Sequence, residues 1–157
     1  IVQEDPSGYR SLNDCVRVWA DGRIEQLGWP RIDVHYASGT RIPTGATIDT
    51  TTSDGRPLHL DVESRLAVPI HVGGGYGGDP DWQHGMWRGE GFTERVTYDM
   101  TDPAVAGRIA FGATDHVARA RCREADGTTR EGWGMFEHFC LGRHDPSGFT
   151  DWLDVAP

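Results

Sequence analysis

The sequence predicts an all-β fold with little helix, either an antiparallel barrel or a strongly bent sandwich. Three observations predict it. Apolar and polar residues alternate strictly from Leu58 to His71. Asp-Gly pairs at 21–22, 54–55 and 126–127 separate alternating runs, as hairpin turns do. No stretch of useful length repeats its apolar residues at helical spacing.

Residues 1–12 carry Pro6, Gly8 and Ser11 without periodicity and read as an arm; residues 13–157 read as one β domain. Cys15–Ala20 and Arg23–Trp29 flank Asp21-Gly22, a pair that favours a type I′ hairpin. Trp29-Pro30 ends that pair, because proline cannot donate to a ladder. Ile32, Val34 and Tyr36 alternate with Arg31, Asp33 and His35, and Ser38-Gly39 stops the run. Pro43 to Thr52 is β-branched and polar, a half-exposed strand. Leu58, Leu60, Val62, Ser64, Leu66, Val68 and Ile70 then point one way, with His59, Asp61, Glu63 and Arg65 opposite. Phe92 to Asp99 alternates again, and Thr101-Asp102-Pro103 marks a turn or short helical start. Arg108–Phe111 and Thr114–Glu124 read as strands broken at Gly112. Arg130–Leu141 is apolar on both faces, which predicts a central strand. Asp145-Pro146-Ser147-Gly148 ends it, and Phe149–Leu153 packs a tail.

Composition excludes several classes. All fifteen basic residues are arginine, so Schiff-base and phosphate-loop lysines are absent. The net charge of -9 disfavours nucleic acid, whose backbone is bound by clustered cations. Arg119, Arg121 and Arg123 form a basic row that reads as a solvated face blunting a sheet edge. No apolar run approaches the ~20 residues of a membrane span. Cys15, Cys122 and Cys140 are odd in number and lack CxxC spacing; Cys122 and Cys140 read as inert buried thiols. A reducing compartment, hence a cytoplasmic location, is the expectation. The chain begins at Ile1, and a processed product or an excised piece is expected.

The most informative stretch is Val72–Gly91, VGGGYGGDPDWQHGMWRGEG. Glycine permits positive φ and close approach, and here it surrounds Tyr76, Trp82, His84 and Trp87. No helix is expected after Gly73–Gly78 and no Gly-Lys-Ser/Thr closes it, so nucleotide binding is rejected and a bent barrel corner preferred. The tryptophans suit either a core or a flat apolar ligand. Asp115-His116 and Glu137-His138 fall on strands joined at Asp126-Gly127. Alternation puts His116 and His138 on one face, Asp115 and Glu137 on the other. An acid–base pair must therefore come from different strands, for example His138 with His84. His84, His116, His138 and His144 show no HxH or HExxH spacing, and no metal or other cofactor is expected.

Three motifs appear together: Gly75-Tyr76-Gly77 with Asp81-Trp82-Gln83-His84-Gly85-Met86-Trp87-Arg88-Gly89; Thr114-Asp115-His116; and Gly132-Trp133-Gly134-Met135-Phe136-Glu137-His138 followed by Gly142-Arg143-His144. On these, residues 31–152 resemble the C-terminal domain of the lipocalin-like superfamily of carotenoid 1,2-hydratases and AttH-type proteins. The resemblance implies two consecutive β-barrel halves with a ligand cavity in or between them. This chain would be the second half, with a preceding β domain of the same protein as its partner. It also implies cofactor-free, acid-initiated hydration or cyclisation of apolar substrates. The residues carried over are Trp82, His84, Trp87, Asp115, His116, Glu137 and His138.

The expectation is therefore a domain binding an apolar, isoprenoid- or polyketide-like molecule among Trp82, Trp87, Trp133 and Phe136, with Tyr76 and His116 beside them. As an enzyme it would protonate an alkene with Glu137 or Asp115, assisted by His84 or His138, since burial raises a carboxyl pKa. The alternative is a non-catalytic half whose motifs bend the barrel and pack a neighbouring domain.

Overall fold

A computed structural model describes residues 2–3, 12–69, 86–93, 95, 97–99, 101–110, 114–138, 140, 142–151 and 153–157. Among them the chain is antiparallel β with one short helix. It divides into two compact units, residues 1–66 with 117–157, and residues 67–116.

The first unit is built on a five-stranded sheet in the order β5-β6-β7-β8-β9. These strands are β5 (Arg31–Tyr36), β6 (Pro43–Thr51), β7 (Pro57–Pro69), β8 (Thr114–Glu124) and β9 (Thr129–Glu137). The order is that of a meander, so each strand pairs with its sequence neighbour. Among the described residues it does not close on itself: β5 and β9 are its ends. Register follows the hydrophobic pattern. Ile32 faces Ile48, which faces Leu60; Val34 faces Ala46, which faces Val62. On β8 the same alternation buries Ala118 and leaves Arg119 and Arg121 exposed. Gly45 is required where β6 meets β7, because a Cβ there would lie 2.2 Å from the Val62 carbonyl oxygen.

Three hairpins turn alike. Gly22 N donates to Trp19 O (2.9 Å) and Trp19 N to Arg23 O (2.8 Å). Thr52–Arg56 and Glu124–Thr128 repeat both bonds. Gly22, Gly55 and Gly127 have φ of 84°, 83° and 86°. This is a three-residue loop closed by a left-handed glycine bulge, in place of the expected type I′ turn at Asp21-Gly22. The aspartate side chain selects it: Arg23 N donates to Asp21 Oδ1 (3.0 Å) and Thr128 N to Asp126 Oδ1 (2.8 Å).

Other expectations are corrected. Where an arm without periodicity was expected, β1 (Val2–Gln3) pairs with β2 (Leu12–Asn13). The next hairpin pairs β3 (Val16–Val18) with β4 (Ile24–Gln26) as a sheet of its own. Among the described residues β9 is the outermost strand of its sheet, where a central strand was expected. Gly132 and Gly134 supply no side chains to one of its faces, and on the other Trp133 stays 68% exposed. β8 lies inside the sheet, so its arginines do not blunt an edge; carboxylates of adjacent strands match them. Arg119 and Arg121 bind Glu131 on β9, the latter at 2.9 Å, and Arg123 reaches Asp61 on β7 at 3.5 Å.

In the second unit, α1 (Pro103–Ala110) covers Arg108–Ala110, where a strand was expected. Local chemistry decides: Asp102 Oδ1 accepts from Ala104 N (2.8 Å), Asp102 O accepts from Ala106 N (2.9 Å), and Pro103 presets φ at the first helical position. Asp102 is itself placed by Asp99, whose carboxylate takes both the amide (2.9 Å) and hydroxyl (2.6 Å) of Thr101. Phe92, Thr93, Arg95 and Thr97–Asp99 are irregular rather than strand. Gly89 and Gly91 turn the chain here with φ of 111° and 69°. No helix among the described residues is long and apolar enough to cross a membrane.

Candidate functional site

The first unit gathers polar side chains where the last sixth of the chain returns to β5. Tyr36, the last residue of β5, sits at a bulge against β6. Its ring lies 5.1 Å from that of Phe149, which is almost fully buried (2% exposed). Tyr36 Oη is 2.7 Å from His138 Nε2 and 2.8 Å from Ser147 Oγ. Ser147 Oγ is in turn 2.8 Å from His144 Nδ1. The two imidazoles stand edge to face, 5.8 Å between centroids.

The backbone explains why these groups meet. His144 and Phe149 bridge as an antiparallel pair, with His144 N donating to Phe149 O (2.8 Å) and Phe149 N to His144 O (3.1 Å). Between them Asp145–Ser147 forms a single 3-10 turn, ended by Gly148 at φ 73°. Pro146 fixes φ within that turn, and glycine alone takes the left-handed exit without strain. Ser147 is thereby aimed back at its own His144 and at Tyr36.

Arg41 fastens this segment down. Its guanidinium stacks on Phe149 (4.3 Å to the ring centre) and donates to the carbonyls of Asp154 (2.5 Å), Gly142 (2.9 Å) and Asp151. Gly39 N donates to Ala156 O (2.7 Å) and Ala156 N to Thr40 O (3.0 Å), so the C-terminal residues pair with the β5–β6 turn.

Burial controls the charges. It holds His138 below the ordinary imidazole range, and the neighbouring His144 adds to the effect. Burial also raises the Tyr36 hydroxyl, partly offset by Ser147. The Cys140 thiol is pushed up by the same cause, as are those of Cys15 and Cys122. The cluster is a chain of donor–acceptor groups in which burial disfavours charge on His138, an arrangement suited to passing protons rather than to holding an ion.

His138 is thus placed beside Tyr36 and His144, where a proton can be exchanged. His84, Tyr76 and Trp82 lie outside the described residues. Glu137 is exposed on the opposite face of β9 from His138, and Phe136 is half-buried. In the second unit His116 is buried (2% exposed), Asp115 is half-buried and Trp87 is 78% exposed. Among the described residues no three His, Cys, Asp or Glu side chains gather as a metal-binding set. Tyr36 and Ser147 were not singled out by the sequence reading. The only signal for them is the spacing of Asp-Pro-Ser-Gly directly after His144.

A recess in the first unit, of about 570 Å³, is lined by Arg17, Trp19, Arg23, Glu25, Arg56 and Glu124. Its arginines are already matched: Arg17 to Glu25 (2.7 Å) and Glu124 (3.5 Å), Arg56 to Asp54 (2.9 Å). Arg17 and Arg23 stack on Trp19 at 4.3 and 4.4 Å. This arrangement braces the β3–β4 hairpin and leaves no surplus charge for a ligand.

Residues 10–150 match the model of a protein family described as a family of unknown function, DUF8625, and the chain belongs to that family. No curated protein and no solved structure matches it.

Proposed function

We propose that this family member binds an apolar small molecule, isoprenoid- or polyketide-like, and uses His138 to transfer a proton to or from it. The chemistry would be acid-initiated hydration, isomerisation or cyclisation of an alkene without a cofactor. The observation that carries the reading is the 2.7 Å contact between Tyr36 Oη and a half-buried His138 Nε2. An imidazole whose proton affinity is reduced by burial is a strong acid once protonated, and the phenol beside it is a partner for the same proton. His138 takes the acid's role here in preference to Glu137, whose side chain is exposed to solvent rather than set among buried groups.

The test uses geranylgeraniol as probe, with intrinsic tryptophan fluorescence for binding and deuterium incorporation from D₂O for proton transfer. The wild type is expected to show saturable quenching and incorporation at alkene carbons. His138→Gln should retain binding and lose incorporation by about 10²-fold, the usual worth of a positioned acid or base. Glu137→Gln should leave both unchanged. Absence of incorporation by the wild type, or its survival in His138→Gln, refutes the reading.

A second reading, a non-catalytic half that packs a neighbouring domain, is favoured by the same segment's fastening through Arg41 and Phe149. It would be supported if His138→Gln and Tyr36→Phe both unfold the domain in the absence of any ligand.

A further inference from the structure

The four side chains of the cluster form three consecutive hydrogen bonds, His138 Nε2–Tyr36 Oη, Tyr36 Oη–Ser147 Oγ and Ser147 Oγ–His144 Nδ1, at 2.7, 2.8 and 2.8 Å. Each hydroxyl owns one proton. With both imidazoles neutral and each hydroxyl proton used within the chain, all three links are filled only when every proton points the same way. In one order His144 Nδ1–H donates to Ser147, Ser147 to Tyr36, and Tyr36 to His138 Nε2. In the other, His138 Nε2–H donates to Tyr36, Tyr36 to Ser147, and Ser147 to His144 Nδ1.

We propose that Tyr36 and Ser147 conduct protons between His144 and His138, so that His138 is recharged from His144. The step balances without an oxidant or co-reactant. It begins with imidazolium at His144 and the first order of bonds. The Nδ1 proton passes to Ser147 Oγ, the Ser147 proton to Tyr36 Oη, and the Tyr36 proton to His138 Nε2. It ends with neutral His144, protonated on Nε2, imidazolium at His138 and the second order of bonds. One net proton has moved and nothing is oxidised. His144 is the entry because it opens the 3-10 turn beside the exposed side chains of Arg143 and Asp145, which bind one another at 2.6 Å. The other titratable groups acting on the chain are Arg41 and Cys140 at Tyr36, and Asp145 at His144.

This inference rests on His138 being the proton donor, and its own readout is independent of turnover. Nitrogen-15 NMR of the histidine rings reports which nitrogen carries the proton. Above the titration of both rings, the wild type should show His138 and His144 in matching tautomers, both Nδ1–H or both Nε2–H, or exchanging together. Ser147→Ala should uncouple them, and Ser147→Thr, which keeps the hydroxyl, should restore the match. If Ser147→Ala fails to fold, Ser147→Cys against Ser147→Thr gives the same contrast, because a thiol is a weak donor and acceptor. Deuterium incorporation into geranylgeraniol, followed in parallel, should fall at least tenfold in steady state in Ser147→Ala while its first turnover survives. Added imidazole buffer should restore it. Opposite tautomers in the wild type, or matched tautomers that persist in Ser147→Ala, overturn the relay. A wild type with coupled tautomers but no incorporation overturns the function proposed for His138 and leaves the relay standing.

Discussion

Two histidines of the same sheet-bearing unit meet opposite fates. His59, on the solvent face of β7, is held between carboxylates, Nδ1 2.6 Å from Asp49 Oδ1 and Nε2 3.2 Å from Asp61 Oδ1. The bond to Asp49, then burial working against it and the bond to Asp61, leave its proton affinity raised. His138, near the end of β9, meets a phenol and a second imidazole instead, and burial lowers its affinity. One environment favours a positive charge; the other disfavours it. A group that must take up and release a proton belongs in the second, which is why the candidate site is sought at Tyr36 and not on the charged outer face.

The largest expected effect comes from removing the floor of that second environment. Phe149 is almost fully buried beneath both Tyr36 and Arg41. Phe149→Ala should cost about 3–5 kcal/mol by loss of transfer energy and creation of a cavity, measured by urea denaturation. In variants that remain folded, the titration of His138 by NMR should move up toward an ordinary imidazole, while that of His59 stays in place. A loss below about 1 kcal/mol, against that expectation for a buried aromatic, would show that the tail is not seated as described.

A smaller effect separates the two histidines by sign. The unfolded chain titrates histidine near 6.5. Folded His138 lies below that value, so the unfolded chain binds more protons in the window between them. Its share of stability is therefore lost as pH falls below 6.5 toward the folded value. Folded His59 lies above it, so its contribution is complete below 6.5 and fades as pH rises through the folded value. In a stability–pH profile from denaturant melts, His138→Gln should flatten the acid side and His59→Gln the neutral to alkaline side. Both variants changing the same limb would remove the contrast.

How much of this was readable beforehand differs between the two regions. The outer face was legible: period-two alternation gave Leu58, Leu60 and Val62 to one side and His59, Asp61 and Glu63 to the other, and the sheet obeys it. Alternation also placed His138 opposite Glu137. The surroundings of His138 were not legible, because its partner Tyr36 lies 102 positions away, and Ser147, 9 positions on, joins it only through Tyr36 once the tail has returned. Nothing in strand periodicity encodes that closure. The turn at Asp21-Gly22 differs from the expected type I′ for a local reason: the aspartate side chain bonds an amide two residues on, which favours the bulged loop. The helix at Pro103 was half seen as a helical start, and its cap at Asp102 outweighed the strand-like Arg108–Ala110. The edge position of β9 was hidden because Trp133, Met135 and Phe136 are as apolar as a central strand's residues.

The smallest expected effect sharpens the comparison from the outer side. Glu131 on β9 holds Arg119 and Arg121 of β8, and these guanidiniums keep its carboxylate below the usual range. All three side chains are in contact with solvent, where an ion pair gains little Coulomb energy and costs side-chain entropy. Glu131→Gln should therefore leave stability almost unchanged. The difference should vanish near 1 M salt, where charges are screened over roughly 3 Å. Tyr36→Phe, which breaks neutral hydrogen bonds in a half-buried setting, should instead cost about 1 kcal/mol with no salt dependence. Denaturation of both variants at low and high salt checks the pair. A salt-sensitive Tyr36→Phe would mean that the cluster holds a charge after all, and that it is not the neutral proton path its distances describe.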